Sequence, residues 1–254
     1  MIVMILKKIK KKLKTAMLAT DNIKVLFEDN HVIIVLKPPD MLCQADITQD
    51  ADMLSLIKNY LKIKYKKPGK VFLGLVHRLD RRVGGVMVFA KTSKAAARLA
   101  QSMKERNFCK HYLALVAGDT PDTEELVDYL IKIKKKNKTI AKKVSSNSAS
   151  AQKAILKYRK LHTIKYDNAI FSFLLINLVT GRYNQIRKQL ALSGHPIIND
   201  FKYGYRGKNF DNRLGLYCCR LAFPHPTQKN IIDIAYYPTD WLWYKLEDEN
   251  LEEK

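Results

Sequence analysis

The chain has 254 residues, 47% of them hydrophobic, which is enough to bury a core and excludes an intrinsically disordered protein. Its formal net charge of +22 favours an anionic partner, with nucleic acid first and an anionic membrane surface second. The four cysteines include no CxxC pair and the six histidines no HxxxH spacing, so a metal site is not predicted and reduced cysteines in a cytoplasmic protein are expected.

A lysine-rich arm occupies the first twenty residues. Six of the eight residues from Lys7 to Lys14 are lysine, and the apolar run before them is too short to span a bilayer. A secretory signal would place its charges before the apolar run, which is the reverse of this order. Three interpretations stay open: a flexible tail (or an upstream start ahead of Met17), an RNA-contacting arm, and a membrane-surface helix.

Apolar runs separated by turn signals predict the elements of the first half of the chain. They are a strand pair ending at Lys37-Pro38-Pro39, a helix over 52–64, a basic loop, a buried strand over 85–91, a helix from its N-cap Ser93 to about Arg106, and a strand from Cys109. On that last strand Lys110 and Tyr112 share one face.

The second half contains the clearest composition shift. Residues 132–143 hold seven lysines and no acid, and they predict a mobile basic loop that is either a solvated hairpin tip or an RNA-gripping finger. A strand is predicted to end at Gly181, with Arg182 at the start of the following helix and Gly194 as its terminator. A final hairpin is predicted to bend at His225-Pro226.

Strands and helices do not alternate regularly, so a doubly wound parallel sheet is not predicted. The pattern favours the α+β class, with a central mixed, mainly antiparallel sheet flanked by helices and loops. The sequence contains no GxxxxGK[ST] and no GxGxxG, so kinase, GTPase and dinucleotide-enzyme functions lack support.

Asp80 lies inside a cluster of cations, close to Arg78, Arg81 and Arg82, and four residues before the glycine pair Gly84-Gly85. The ordinary interpretation is a carboxylate that caps a turn or pairs with a neighbouring arginine. Cationic neighbours keep an aspartate ionised, and no second acid or histidine spacing nearby suggests a carboxylate dyad or a metal. In a basic, RNA-attracting cleft, such a carboxylate suits nucleophilic attack or stabilisation of a sugar cation.

Two further residues allow two interpretations each. Arg182, with Arg187 and Lys188, is either a surface arginine or part of a phosphate or carboxylate site, because the N-terminus of a helix favours anions. Tyr112 is either a core residue of its strand or a stacking platform for an extruded base.

Five blocks of the sequence, in the same order, resemble the RluA-like pseudouridine synthases over roughly Val25 to Asp240. They are VLFEDNHVIIVLKPPDML, VHRLDRRVGGVMVFAKTSKAAARL, KHYLALVAG, LVTGRYNQIRKQLALSGHPIINDFKYG and RLAFPHP. The resemblance implies the pseudouridine synthase catalytic fold and the isomerisation of a uridine in RNA, in which the glycosidic bond to N1 breaks and C5 joins the sugar. It also implies that no cofactor, metal or energy source is needed.

The resemblance assigns roles to individual residues. Asp80 matches the essential aspartate, Arg182 the arginine that pairs with it, and Tyr112 the tyrosine that stacks on the target uracil. Arg78 matches the arginine that enters the helix space left by the flipped nucleotide. The residues expected to bind RNA are Arg78, Lys110, Gln185, Arg187 and Lys37.

Three departures from the family pattern are visible. Val83-Gly84 stand where Thr-Ser is usual, Asn184 where His is usual, and Asp40 where Gly often follows Lys-Pro. Because Val83-Gly84 and Asn184 lie close to the expected site, the conformation of its loop and the rate of the reaction are not predicted. These departures support one rival function, a catalytically silent RNA-binding protein of the same fold; a membrane-surface protein that uses the lysine arm is another.

The expected organisation is a basic arm over 1–20, a catalytic domain over 21–245 and an acidic tail over 246–254. No counterpart of the small N-terminal RNA-binding domain of many family members is expected, so the arm and the 132–143 segment would take over its grip on RNA. The expected partner is ribosomal RNA or tRNA, and a cytoplasmic monomer without membrane contact is expected.

Overall fold

The computed structural model describes residues 23–135, 138–166 and 168–239. The expected N-terminal arm and acidic tail lie outside the described residues, and the expected single domain over 21–245 stays a prediction. The chain divides into two compact units, described separately below. The first comprises the chain up to Asn107 together with Pro224–Ile232, and the second comprises Phe108–Phe223 together with the chain from Asp233 onward.

A small antiparallel sheet forms the centre of the first unit. Its strands are β1 (Val25–Glu28), β2 (Val32–Lys37), β3 (Gly74–Leu75) and β4 (Gly84–Ala90). β2 lies between β1 and β4, and β3 also pairs with β4. Every residue of β4 is buried, which explains why its sequence is continuously apolar rather than alternating.

Two helices belong to this unit, α1 (Met53–Lys64) and α2 (Ser93–Lys104). α1 is the predicted helix, capped by the Asp52 side chain, which accepts a hydrogen bond from the backbone N–H of Ser55 at 3.0 Å. The predicted cap of α2 was wrong by one residue. Thr92 has the extended backbone of an N-cap, and its hydroxyl accepts from the N–H of Ala95 at 3.1 Å.

The second unit is built on a larger antiparallel sheet and one helix, α3 (Gln185–Leu192). Its strands are β5 (Cys109–Ala117), β6 (Thr123–Lys135), β7 (Lys138–Lys143), β8 (Gln152–Tyr166) and β9 (Ala169–Leu178), with all of β10 (Leu216–Pro224) but its last residue and the last three residues of β11 (Ile231–Ala235). They follow the order β10-β5-β9-β8-β6-β7, and β11 pairs with β10. The predicted α+β class with mainly antiparallel pairing is confirmed.

The lysine-rich segment is not the mobile loop that its composition predicted. β6 and β7 pair through Lys132 and Ala141, Ile133 and Ile140, and Lys134 and Thr139. The alternation Ile-Lys-Ile-Lys has the two-residue period of a strand, and it outweighs the high charge. The hairpin alternative is therefore the better description, although residues 136–137 lie outside the described part.

The predicted hairpin bend after β10 is confirmed, and His225 closes it. His225 Nδ1 accepts the backbone N–H groups of Thr227 and Gln228 at 3.1 and 3.0 Å. Its Nε2 therefore carries the hydrogen, which it donates to Asp29 Oδ2 at 2.6 Å. Among the helices of the described part, none is long and apolar enough to cross a membrane.

Candidate active site

In the first unit, Asp80 lies in the loop between β3 and β4. Its Oδ1 accepts the backbone N–H of Arg82 at 3.1 Å, and its backbone carbonyl accepts the N–H of Val83 at 3.0 Å. The side chain is half-buried, whereas Arg78 is exposed. A closed turn therefore presents the carboxylate directly before a buried strand, with a cation beside it that faces solvent.

The departures Val83-Gly84 and Asp40 fit this loop. Val83 is buried, Gly84 begins β4, and Gly85 has φ +131°, a conformation that favours glycine. Asp40 has φ +62°, a conformation that glycine adopts readily and that aspartate tolerates better than most other residues. Its carbonyl accepts from Arg81 Nε at 3.3 Å.

Lys37 supports this loop from beneath. Its Nζ donates to the carbonyl oxygens of Pro38, Met41 and Arg81 at 2.9, 2.8 and 2.9 Å, and Lys37 is only 1% exposed. Burial lowers the pKa of Lys37 to about 8, although the negative charge of Asp80 acts to raise it. Its three N–H groups are all used, so the geometry does not support the predicted RNA contact and favours a positioning role.

In the second unit, Tyr112 lies on β5 and is buried, opposite Cys218 of β10 and Ile176 of β9. Cys218 is completely enclosed, and burial raises the pKa of its thiol to about 12, while a hydrogen bond with the Tyr112 side chain acts in the opposite direction. The Cys218 thiol therefore stays protonated at neutral pH, and it contacts the Tyr112 hydroxyl as a neutral group.

Lys110 precedes Tyr112 by two residues on the same face of β5, and its side chain approaches the turn after β9. A Cβ placed on Gly181 would lie 3.4 Å from Lys110 Nζ. Burial lowers the pKa of Lys110. This ammonium therefore lies next to the residue that precedes Arg182.

Arg182 does not start the helix, contrary to the prediction. α3 begins at Gln185, after Asn184, whose φ of +48° places it in the left-handed region that asparagine tolerates. Arg182 lies in the preceding turn, where its Nε donates to the carbonyl of Lys153 at 3.0 Å. Asn184 Nδ2 donates to the Tyr203 hydroxyl at 3.1 Å, so the asparagine departure has a defined partner.

Gln185 holds the Arg182 turn. Its Oε1 accepts from Thr180 Oγ1 at 2.8 Å and from the backbone N–H of Arg182 at 2.9 Å. Its Nε2 donates to the Ile155 carbonyl at 3.1 Å and to Gln189 Oε1 at 2.9 Å. Gln185 is buried, so these contacts favour a positioning role over the predicted RNA contact.

Arg187 forms a buried ion pair with Asp200. Its Nε lies 2.7 Å from Asp200 Oδ2 and its Nη2 2.6 Å from Oδ1, and the two side chains are 4% and 0% exposed. The predicted RNA contact of Arg187 is therefore not supported either. Asp200 was not predicted as a site residue, although its place two residues after the apolar pair Ile197-Ile198 was a possible signal of burial.

The predicted site residues thus fall in two groups. Asp80, Arg78 and Lys37 belong to the first unit, while Tyr112, Lys110, Arg182, Gln185 and Arg187 belong to the second. Within the described ranges, no group of three or more His, Cys, Asp or Glu side chains is placed to hold a metal ion.

The family model described as RNA pseudouridylate synthase matches residues 31–192, which include Asp80, Tyr112 and Arg182. The chain is 31% identical over 225 residues to a ribosomal large subunit pseudouridine synthase C of Buchnera aphidicola subsp. Acyrthosiphon pisum, covering 83% of this chain but 66% of the relative. It is 30% identical over 225 residues to the tRNA pseudouridine synthase C of Haemophilus ducreyi, covering 83% of this chain and 89% of that one.

A solved structure shares the fold. Human RNA pseudouridylate synthase domain containing 4 aligns with a TM-score of 0.69 at 18% identity, over 91% of this chain and 93% of its own. The match of the family model, which covers more than half of the chain, confirms the resemblance found in the sequence. The chain belongs to the RNA pseudouridylate synthase family, in its RluA-like group.

Proposed function

We propose that this protein is an RNA pseudouridine synthase, an isomerase that converts specific uridines of ribosomal RNA or tRNA to pseudouridine. The observation that carries the proposal is the turn that holds Asp80 directly before β4, within a chain of this family. From the resemblance, we assign Asp80 as the essential carboxylate, Tyr112 as the tyrosine that stacks on the target uracil, and Arg182 as the family's aspartate-pairing arginine.

The reaction balances without a cofactor. The bond from C1′ to N1 of uracil breaks, the base turns over, and a bond from C1′ to C5 forms. N1 gains a proton, C5 loses one, and nothing is oxidised or reduced. An ionised carboxylate suits this chemistry, either as the nucleophile or as the group that stabilises the sugar cation.

Other residues position Asp80 and Arg182 or contact the RNA. Lys37 holds the carbonyl of the residue after Asp80, and Gln185 holds the backbone N–H of Arg182. We assign Arg78, which is exposed, to the space vacated by the flipped nucleotide. Lys110, beside Gly181, is assigned to contact with the RNA.

The β6–β7 hairpin is assigned to the RNA backbone. Lys132 and Lys134 are exposed on β6, and Lys132 Nζ lies 5.0 Å from the centre of the Tyr183 ring. The Tyr183 hydroxyl and Lys202 Nζ both donate to the carbonyl of Thr139, at 3.2 and 2.7 Å. These contacts fasten the hairpin next to the Arg182 turn and support the finger interpretation of this segment.

The names of the relatives cite ribosomal RNA and tRNA, so both RNA classes are proposed as substrates. The net charge of +22 supports binding to RNA. A cytoplasmic monomer without membrane contact completes the proposal.

The test is tritium release from RNA labelled at uracil C5 and prepared from cells that lack this activity, with wild type and Asp80→Asn side by side. C5 loses its hydrogen only when the new carbon–carbon bond forms. Release by wild type and none by Asp80→Asn is the expected result. Binding of RNA by both proteins with release by neither would favour the catalytically silent protein instead.

A further inference from the structure

The end of α1 carries an unusual concentration of positive charge. Six lysines and no acid lie between Lys58 and Lys70. One of them, Lys64, is paired with Glu28 at 2.6 Å. Four others are exposed and have no carboxylate partner within the described part of the chain, and they define the α1-end surface: Lys62, Lys66, Lys67 and Lys70.

The backbone of this surface is fixed in a conformation that suits glycine better than lysine. The N–H of Lys67 donates to the carbonyl of Lys62 at 3.0 Å, and the N–H of Lys66 donates to that of Ile63 at 3.1 Å. These two bonds form the Schellman motif that ends many helices. Lys66 occupies its left-handed position with φ +48°, where a side chain is disfavoured.

The charges act on the helix in two directions, because Lys62 and Lys64 lie in its last turn, where cations interact favourably with the helix dipole. Lys58 and Lys62 are four residues apart on α1 and therefore lie on the same face, where like charges destabilise a helix. Lys66 follows after another four residues. The left-handed Lys66 lowers stability at an exposed position where glycine would fit. Such a local conflict is typical of a surface retained for binding.

The α1-end surface is also held in place. Glu28 of β1 accepts hydrogen bonds from Lys64 Nζ at 2.6 Å, Lys91 Nζ at 2.7 Å and the Tyr65 hydroxyl at 2.8 Å. Lys91 Nζ lies 4.9 Å from the centre of the Tyr65 ring. The lysines thus project from a backbone that is anchored before any partner arrives, which lowers the entropic cost of binding.

We propose that the α1-end surface binds the phosphate backbone of the substrate RNA, as a contact in the same unit as Asp80; this proposal rests on the proposed function. Lysine binds phosphate as a point charge without reading the base. RNA is favoured over a membrane because the proposed function already supplies an RNA substrate, whose phosphates complement the four exposed lysines.

The first experiment compares two variants of the full chain that carry the same charge. The test variant replaces four lysines of the surface: Lys62→Gln, Lys66→Gln, Lys67→Gln and Lys70→Gln. The control variant replaces four exposed lysines elsewhere: Lys94→Gln, Lys104→Gln, Lys165→Gln and Lys229→Gln. Affinity for transcripts of tRNA and large-subunit ribosomal RNA is measured by filter binding from about 50 to about 200 mM salt.

The test variant should bind at least about tenfold more weakly at low salt, and its plot of log affinity against log salt should be shallower by about 3. The control variant should change the slope by less than about 1 and leave tritium release unchanged. An unchanged slope in the test variant, or an equal loss in both variants, would overturn the proposal. If the test variant kept its affinity for RNA but no longer sedimented with phosphatidylserine vesicles, the surface would be a membrane-binding one and the proposal would be overturned.

A single substitution separates binding from folding. Lys66→Gly fits the left-handed position, so it should raise Tm while weakening RNA binding. Lower Tm together with weaker binding would point to a structural role and overturn the proposal. The affinities are measured independently of catalysis. If wild type bound RNA through this surface but released no tritium, the proposed function would be overturned while the binding proposal would stand.

Discussion

Lys37 Nζ donates a hydrogen bond to the backbone carbonyl of Arg81 at 2.9 Å, across 44 residues of sequence. A buried ammonium at the end of β2 therefore holds the residue that directly follows Asp80. The same Nζ closes the chain segment after β2 through the carbonyls of Pro38 and Met41. The Asp80 turn is thus fastened to the sheet by a group that itself does not reach solvent.

Lys37→Met should lower both activity and stability. Removing the ammonium leaves buried carbonyl oxygens without a donor, and each costs about 1–3 kcal/mol, so the free energy of unfolding should fall by about 2–4 kcal/mol. Tritium release should fall about tenfold or more, because a small misplacement of a catalytic group is expensive. Urea unfolding and single-turnover rates measure the two effects.

The control for Lys37 is Lys94→Met, an exposed lysine at the start of α2. It removes the same charge without disturbing a buried carbonyl, so both measurements should match wild type. Wild-type rates in Lys37→Met, once corrected for the unfolded fraction, would contradict the positioning role.

Gln185→Leu should disturb Arg182 more than it disturbs RNA affinity. The amide loses four hydrogen bonds, including the one from the Arg182 backbone N–H, while the volume of the side chain is nearly kept. We expect kcat to fall by about tenfold to a hundredfold with KM changed by less than about threefold. Gln101→Leu on the exposed face of α2 is the matched control.

An effect of Gln185→Leu on KM alone would be the signature of a direct RNA contact. It would restore the role that the sequence predicted for this residue. The split between kcat and KM therefore distinguishes the two interpretations in one titration of RNA concentration.

Glu28 should make the stability of the protein pH-dependent in acid. Burial alone would raise its pKa, but hydrogen bonds from Lys64, Lys91 and Tyr65 lower the pKa of Glu28 from 4.5 to about 2. Because the folded pKa lies below the unfolded one, this stabilisation is complete above pH 4.5 and is lost as pH falls toward 2. Its full size is up to about 3 kcal/mol.

Glu28→Gln should therefore flatten the dependence of unfolding free energy on pH between about 4.5 and about 2. The control is Glu125→Gln, because Glu125 pairs with Lys157 at 3.0 Å on the exposed surface, where an ion pair contributes little. Parallel pH profiles for Glu28→Gln and wild type would show that the Glu28 cluster does not contribute to acid stability.

The sequence was sufficient for features that depend on local pattern. Asp52 before an apolar stripe marked α1, and the apolar run before Lys91 marked β4. It was insufficient where the environment of a charged group decides its role. A lysine or arginine is usually exposed, and nothing adjacent in sequence indicates that Arg187 pairs with Asp200 or that Lys37 meets the carbonyl of Arg81.

The lysine content of residues 132–143 predicted the wrong structure, because the two-residue alternation of apolar side chains in the same segment indicates a strand. Seven lysines over 132–143 suggested a loop, yet Ile131 and Ile133 alternate with Lys132 and Lys134 as in a strand. The pairing partner that stabilises this strand, β7, forms from the same charged segment. The energy of the pairing depends on cross-strand contacts such as Ile133 with Ile140, which a count of charges does not include.

Lys66→Gly should stabilise the protein. Lys66 adopts φ +48° at the end of α1, a region that disfavours a side chain by about 1–2 kcal/mol, and part of this gain is offset by the greater freedom of glycine in the unfolded chain. The net increase in the free energy of unfolding should be about 0.5–1 kcal/mol. The next residue supplies the control, because Lys67 is not among the described residues with positive φ, so Lys67→Gly should be neutral or slightly destabilising. Equal effects of the two substitutions in urea unfolding would show that the strain at Lys66 is relieved in solution, and would remove the conflict between stability and binding at the α1-end surface.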